Sequence, residues 1–139
     1  MANLYSQRTF DNALLLRAAG LLAATATEAI ILDIGSGLID ADWVNDVLAI
    51  ETATGDEKYT IILEGSNVAA MTSGIVELAR CDLGNVTAPV TVVSTTGRYM
   101  TAFRNEINGT TYRYVRVQST VAGTIASGIN FISWIAKDE

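Results

Sequence analysis

The chain has 139 residues, of which 50% are hydrophobic and 17% are charged, and its formal net charge is −6. This length predicts one domain whose core is large enough to be stable without disulfide bonds or structural metal ions. An acidic chain with scattered arginines argues against direct contact with nucleic acid. The sequence contains no histidine and a single cysteine, Cys81. These counts exclude Ser-His-Asp and Cys-His catalysis, imidazole metal ligands and an intramolecular disulfide, and Cys81 is expected to be a buried thiol.

Residues 1–24 are predicted to form an N-terminal arm, and residues 25–139 a single domain. Residues 1–10 mix polar and aromatic side chains without an amphipathic period, which is typical of extended chain. The leucine-rich segment that follows has two interpretations. Asp11 is an N-cap residue for a short helical turn up to Arg17, or else the whole segment lies extended across a neighbour.

The middle of the chain is predicted to be a series of short strands separated by turns. Residues 29–34 form a strand, and residues 38–46 form an acidic loop. Residues 47–53 and 58–65 are predicted to pair as a hairpin through a tight turn at residues 54–57. Further strands are expected at residues 75–83, 90–93 and 97–107, and the Asn108-Gly109 dipeptide predicts a tight turn.

The last thirty residues, 110–139, are predicted to form a β-hairpin with a loop at residues 122–128. In the first strand, Arg113, Val115 and Val117 alternate with Tyr112, Tyr114 and Arg116, the period of a half-buried strand. The second strand is apolar on both faces, because Ile129, Phe131 and Ile135 lie on one side and Ile132 and Trp134 on the other. The second face is therefore covered by a loop or arm, or it is a contact surface for another chain.

About eight strands without a helical pattern between them predict an all-β fold, an antiparallel β-sandwich. Eight strands in two sheets favour a jelly roll. No apolar run of about 18 residues marks a transmembrane helix, and no basic start followed by an apolar core marks a signal peptide. We therefore expect neither a membrane partner nor secretion.

No motif in the sequence predicts an enzyme, a metal site or a cofactor. Asp40, Asp42 and Glu51 match three positions of a calcium-binding loop, but Val44 and Asn45 break the pattern, so a solvated acidic loop is expected. The acids that would serve as a glycosidase pair stand at scattered strand positions, and nothing in the sequence brings two of them together: Asp33, Glu51, Glu64, Glu77 and Asp82.

Candidate interface residues are the large apolar, aromatic and cationic side chains of the arm and the last two strands. Tyr and Arg are the residue types that anchor protein interfaces, although ordinary cross-strand pairs on a solvated face account for them equally well. The candidates are Leu4, Tyr5, Phe10, Leu14, Leu15, Tyr112, Tyr114, Arg116, Ile132 and Trp134.

Two stretches near the C-terminus resemble the ending of tailed-bacteriophage capsid cement (decoration) proteins of the Bordetella-phage type. They are residues 112–118 (YRYVRVQ) and residues 131–139 (FISWIAKDE). The start is similar too, at residues 10–14, the Thr/Ala-rich residues 23–27 and residues 31–35. The leucine-rich residues 14–22 are longer than the family's equivalent.

The resemblance implies a jelly-roll subunit on the outside of the phage shell that bridges neighbouring copies of the major capsid protein. It also implies a homo-oligomer, a dimer or trimer, that is made in the host bacterial cytoplasm and ends in the virion. It carries over no catalytic residue and no cofactor. The alternative is a carbohydrate-binding jelly roll in which Trp43 or Trp134 stacks on a sugar ring.

Overall fold

The computed structural model describes residues 14–86 and 88–137, and within them it contains strands and no α-helix. The six long strands are β5 (Asp40–Ile50), β6 (Lys58–Ser66), β7 (Val76–Gly84), β8 (Gly97–Arg104), β11 (Tyr114–Ala122) and β12 (Ile129–Lys137). The short ones are β1 (Leu15–Arg17), β2 (Leu21–Leu22), β3 (Ala26–Thr27), β4 (Leu32–Asp33), β9 (Glu106–Ile107) and β10 (Thr110–Thr111).

The strands form two antiparallel sheets that pack face to face. Sheet A has the order β1-β12-β5-β8, with β2 also paired to β12. Sheet B has the order β3-β11-β6-β7, with β4 also paired to β11. The predicted all-β sandwich is therefore confirmed.

The connectivity has a simple rule when β1 with β2, and β3 with β4, are each counted as one interrupted strand. The first strand then pairs with the eighth, the second with the seventh, the third with the sixth and the fourth with the fifth. A long hairpin that is folded in half and rolled up has this order of paired strands. Apart from β6 and β7, consecutive strands of this set lie in opposite sheets.

Two predicted hairpins are wrong for that reason. Strand β5 pairs with β12 and β8, whereas β6 pairs with β11 and β7. Likewise β11 belongs to sheet B and β12 to sheet A, so the C-terminal ribbon is not a hairpin. Residues 51–57 and 123–128 are loops that cross from one sheet to the other. The two sheets lie about 10 Å apart, which is too far for a two-residue turn to span.

Three local predictions are also corrected. The acidic loop at residues 38–46 is mostly strand β5, which starts at Asp40 and has Trp43 and Val44 buried. The helical turn is wrong for Leu15–Arg17, which pairs with β12 as β1; this pairing also places part of the predicted arm in the sheet. Residues 90–93 form no strand.

The core lies between the sheets and is built by alternation along each strand. Sheet A contributes Trp43, Phe131 and Ile135, and sheet B contributes side chains such as Ile61 and Val117, all at 0% exposure. The indole nitrogen of Trp43 donates to Ser133 Oγ at 2.8 Å, which gives a buried polar atom its partner.

Arg17 closes one open edge of the sandwich. Its side chain is 8% exposed, and it joins sheet A to the chain that leads into β4 by pairing with Glu28 at 3.1 Å. The guanidinium also donates to the Phe131 carbonyl oxygen at 2.6 Å and stacks on the Phe131 ring at 4.4 Å. A buried guanidinium held by a carboxylate and carbonyl oxygens satisfies its donors without water, so this edge is sealed.

Candidate protein-binding surface

The predicted interface residues do not form one surface. Leu4, Tyr5 and Phe10 lie outside the described residues, and Leu14 packs against the core. Tyr114 and Arg116 lie on the outer face of sheet B, because Val115 and Val117 between them point into the core. Ile132 and Trp134 lie on the outer face of sheet A. Tyr112 precedes β11 at the end of the sandwich and is half-buried.

The outer face of sheet B is polar and internally paired. Arg116 binds Glu64 at 2.8 Å and Arg80 binds Glu77 at 2.9 Å. Arg113, just before β11, binds Asp33 at 2.8 Å and stands over the Tyr114 ring at 5.5 Å. Arg116–Glu64 is a cross-strand pair and Arg80–Glu77 is a pair within β7, so this face is the solvated sheet face of the second interpretation of this strand.

Two of the scattered acids do meet on this face. Glu64 and Glu77 are register partners across β6 and β7, a like-charge pair that destabilises a ladder unless it is compensated. Arg116 and Arg80 supply that compensation.

The outer face of sheet A is apolar at its centre. Trp134, Val44 and Ala136 form a second buried cluster there, with exposures of 1%, 0% and 4%, and Ile132 packs against it. Arg98 stands over the Trp134 ring at 5.1 Å. The second apolar face of the last strand is thus real, and it is separate from the core.

Exposed apolar side chains lie around this cluster. Leu48 is 47% exposed in the bulge of β5, and Met100, the register partner of Val44, is 50% exposed. Leu21 on β2 is 63% exposed. The sequence reasoning missed these three residues, although the alternation of Met100 with the inward-facing Tyr99 and Thr101 is the signal that places it outward.

A cleft of about 450 Å³ opens at the other edge of the sandwich, between β7 and Tyr99 of β8. Residues 89–95 form its outer wall, where Val92 is 75% exposed and Val93 is 41% exposed. Cys81 lines the cleft but is 8% exposed, and burial, with Asp82 nearby, raises the pKa of its thiol to about 12. The predicted buried thiol is confirmed, and a thiol that stays protonated is a poor nucleophile.

The residues of the partial calcium motif are far apart in the structure, because strand β5 runs between them. Asp40 begins β5 and pairs with Arg104, whereas Glu51 follows the other end of the strand, roughly 36 Å away at the rise of an extended chain. These residues therefore do not share an ion. In residues 14–86 and 88–137 no group of three or more His, Cys, Asp or Glu side chains is placed to hold a metal.

Carboxylates hold the loops at the end of the sandwich where β5 finishes. Glu51 accepts backbone N–H groups of Ala126, Ser127 and Gly128 at 2.6–2.9 Å, and these bonds hold the pKa of Glu51 below its ordinary value. Asp56 accepts the backbone N–H and the hydroxyl of Thr124, and the pKa of Asp56 is likewise lowered. We call this the carboxylate end.

Glu57 is the buried member of this group, with 0% exposure. It accepts the N–H groups of residues 54, 55 and 56 at 2.7–3.1 Å. Burial alone raises the pKa of such a carboxyl, but the hydrogen bonds outweigh burial and the pKa of Glu57 lies below its ordinary value. The loop at residues 54–57 is therefore wrapped around an ionised acid.

Asparagine side chains hold the opposite end, which we call the amide end. Asn105 is 0% exposed; its Oδ1 accepts Ile39 N–H at 2.8 Å, and its Nδ2 donates to the carbonyl oxygens of Gly37 and Tyr112 at 3.0 Å. Asn67 donates to the Thr111 carbonyl oxygen and accepts Arg113 N–H. Primary amides carry donors and acceptors that do not titrate.

No protein-family model matches this sequence, and no curated protein matches it either. Among the described residues, no helix is long and apolar enough to cross a lipid bilayer.

Proposed function

We propose that the protein is a virion structural protein, a capsid cement protein that binds the outer surface of a phage head and bridges neighbouring major capsid subunits. The observation that carries the proposal is the contrast between the two outer faces. Sheet B is covered with paired charges, whereas sheet A presents Leu48 and Met100 around a buried aromatic cluster. The choice of a capsid as partner rests on the resemblance of residues 112–118 and 131–139 to the cement family.

The outer face of sheet A supplies the kind of contact that such a protein needs. The backbone of a sheet is already ordered, so binding at this face costs little backbone conformational entropy. Arginines such as Arg98 and Arg104 at the rim add polar contacts. Each contact is weak. A symmetric oligomer that engages several lattice points at once converts weak contacts into tight binding, so the proposal includes a homodimer or homotrimer.

The carbohydrate-binding alternative has less support. A sugar ring stacks on an accessible aromatic face, but Trp43 and Trp134 are 0% and 1% exposed. Neither ring is presented to a ligand in this structure.

Co-sedimentation with phage heads that lack the protein tests the proposal. Leu48→Glu and Met100→Glu place charges on exposed positions of sheet A, so we expect the fold to survive and binding to heads to fall by tenfold or more. The matched control is Thr120→Glu on the exposed outer face of sheet B, which should bind as the wild type does. Full binding by the double sheet A variant would contradict the proposal, as would a stable monomer in light scattering.

A further inference from the structure

The two sheets have four edges, and three of these edges are protected against pairing with another chain. The edge at β1 and β2, and the edge at β3 and β4, consist of interrupted strands of two or three residues. Strand β7 carries an extra residue, Leu78, in its pairing with β6, and at its end Gly84 exchanges hydrogen bonds with Ser94 at 2.9 and 3.0 Å. Short strands, bulges and covering loops are devices that keep a sheet edge from adding a strand.

Strand β8 forms the fourth edge, and it is long and regular. It has eight residues with no proline or lysine among them, and it pairs with β5, its one neighbour among the described strands, without a register shift. Asn105, which follows β8, donates its N–H to the Ile39 carbonyl oxygen, so the odd-numbered residues of β8 bond to β5. Because the bonding residues of an antiparallel ladder alternate, the even-numbered residues direct their N–H and C=O groups to the open edge: Arg98, Met100, Ala102 and Arg104.

We propose that β8 pairs with β8 of a second copy of this chain, antiparallel and about a two-fold axis at Thr101. The two copies of sheet A then become one continuous sheet. This register sets Arg98 opposite Arg104 and Met100 opposite Ala102, each twice, so that every residue that points to the open edge has a bonding partner. Moving the axis by one residue in either direction leaves one of the four residues in each strand without a partner in β8.

The side chains that meet in this register suit one another. On the inner face, Tyr99 lies opposite Phe103 and Thr101 lies opposite itself, at the non-hydrogen-bonded positions where side chains approach most closely. Aromatic pairs and Thr–Thr pairs are among the cross-strand pairs that stabilise a ladder. On the outer face, Met100, which is 50% exposed, lies beside the small side chain of Ala102. A large side chain thus meets a small one on both sides of the axis.

The charges on the outer face are balanced across the boundary between the copies. Like charges directly opposite one another destabilise a ladder, and Arg98 lies opposite Arg104 of the second copy. Each arginine already has an acid on its other side, because Arg98 is 3.8 Å from Asp46 and Arg104 binds Asp40 at 2.8 Å. Each row across the boundary is therefore acid, base, base, acid, and has no net charge.

This inference rests on the proposed function in one respect, because that proposal already includes a homo-oligomer. It names a dimer and the strand that forms it. It also enlarges the proposed contact surface, since the outer faces of the two A sheets join and present the exposed Leu48 of both copies on one side.

Disulfide cross-linking in a Cys81→Ala background tests the register. Thr101→Cys places a thiol opposite its own copy in a non-hydrogen-bonded pair, where Cα atoms are about 4.5 Å apart, a distance that a disulfide bridges. We expect oxidised glutathione to convert most of this chain into a covalent dimer on a non-reducing gel. Ala102→Cys is the matched control, because its two thiols lie two residues out of register, about 7–8 Å apart. Equal or stronger cross-linking at residue 102 overturns the proposal.

Light scattering tests the dimer. Ala102→Pro removes an N–H group that points to the open edge and none that bonds to β5, so we expect the circular dichroism of the wild type and a mass that falls from dimer to monomer. Arg80→Pro is the matched control on β7, because the bond from Asn85 N–H to the Glu57 carbonyl oxygen directs the Arg80 N–H away from β6 in the same way. This control should remain a dimer. If a proline variant does not fold, cross-linking at residue 101 decides.

The outcomes separate this inference from the proposed function. A wild-type trimer, or a dimer that survives Ala102→Pro, overturns the β8 contact and leaves the capsid proposal standing. A chain that cross-links at residue 101 but does not bind phage heads overturns the capsid proposal and leaves the β8 contact standing. A wild-type monomer overturns both.

Discussion

The two ends of the sandwich are closed by different chemistry. At the carboxylate end, Glu51, Asp56 and Glu57 accept backbone N–H groups of the crossing loops. At the amide end, Asn105 and Asn67 make the equivalent bonds. Both solutions satisfy loop backbone groups that the sheets leave unpaired, but only the first depends on ionised side chains.

The carboxylate end is therefore the part of the fold that is sensitive to acid. A carboxylate that accepts two or three N–H groups loses those acceptors when it is protonated, whereas a primary amide keeps its bonds at every pH. Loops at the carboxylate end should therefore open before loops at the amide end.

Gly128→Ala, a substitution at the carboxylate end, should prevent the domain from folding. Gly128 has a φ of 83°, and a Cβ atom there would collide with the carbonyl oxygen of Leu22, which neither backbone can avoid. We expect no soluble folded protein by circular dichroism and gel filtration. The control is Gly37→Ala at the amide end, which has nothing within 4 Å of the new carbon; comparable damage there would mean that loop glycines matter in general.

Asn105→Ala should destabilise the amide end by about 3 kcal/mol, because one N–H and two carbonyl oxygens lose the partner that the buried Asn105 side chain supplies. Asn67 is exposed, so Asn67→Ala should cost only about 1 kcal/mol. Urea unfolding measures both. The difference from wild type should be the same at pH 7 and pH 5, and a pH-dependent difference would contradict the comparison.

Acid should release the carboxylate end selectively. The folded-state pKa values of Glu51, Asp56 and Glu57 are lowered from 4.5, 3.8 and 4.5, so their stabilisation is complete above those values and is lost as pH falls through the folded-state pKa values. Hydrogen exchange from pH 6 to pH 3, corrected for intrinsic rates, should show protection lost first at Ser127 and Gly128.

Ile39 and Tyr112 at the amide end are the internal controls for this experiment. Asp33 and Asp40 near that end also have lowered pKa values, chiefly through Arg113 and Arg104, but these pairs are exposed, and such pairs stabilise little. Simultaneous loss of protection at both ends would show that acid unfolds the whole domain instead.

Glu51→Gln should have the smallest effect. The amide oxygen of Gln still accepts N–H groups of residues 126–128, but a neutral acceptor makes weaker bonds than a carboxylate. We expect slightly faster exchange at residues 126–128 at pH 7, and an exchange rate there that responds less to acid than in the wild type. An unchanged acid response would assign the sensitivity to Asp56 or Glu57.

The alternation of apolar and polar residues predicted which side of a sheet each side chain faces better than it predicted which strands pair. The faces of β11 and β12 follow the sequence directly: Val115, Val117, Phe131 and Ile135 point inward. The Asn108-Gly109 turn also forms, with φ values of 51° and 87°, because two residues with positive φ are what such a turn requires. Both are local properties of the chain.

Pairing between β5 and β6, and between β11 and β12, was wrong because sheet membership is decided by the whole topology. A loop such as residues 123–128 serves a hairpin or a crossing equally well. Residues 40–46 were predicted to be a loop because several of them are acidic. Those acidic side chains lie on the outer face of β5, while Trp43 and Val47 point inward. The leucines of residues 14–16 have no polar stripe, and β12 selects the extended form by pairing with them.

The candidate surface was half visible in the sequence. Ile132 and Trp134 marked an apolar second face, but their burial and the exposed positions of Leu48 and Met100 depend on the bulge in β5 and on its pairing with β8. Tyr114 and Trp134 looked like parts of one surface because their strands were expected to pair. A crossing of six residues places them on opposite sides of the molecule.

The place of β12 in the middle of sheet A has a kinetic consequence. Arg17 and the Phe131 carbonyl oxygen, which hydrogen-bond across β1 and β12, are 114 residues apart, and closing so long a loop before its contacts form is slow. Until β12 inserts, β5 has one open edge beside Trp43 and Val44. Chaperone dependence or aggregation during synthesis should therefore track the arrival of this strand, and a short peptide with its sequence should rescue a chain that stops before Ile129.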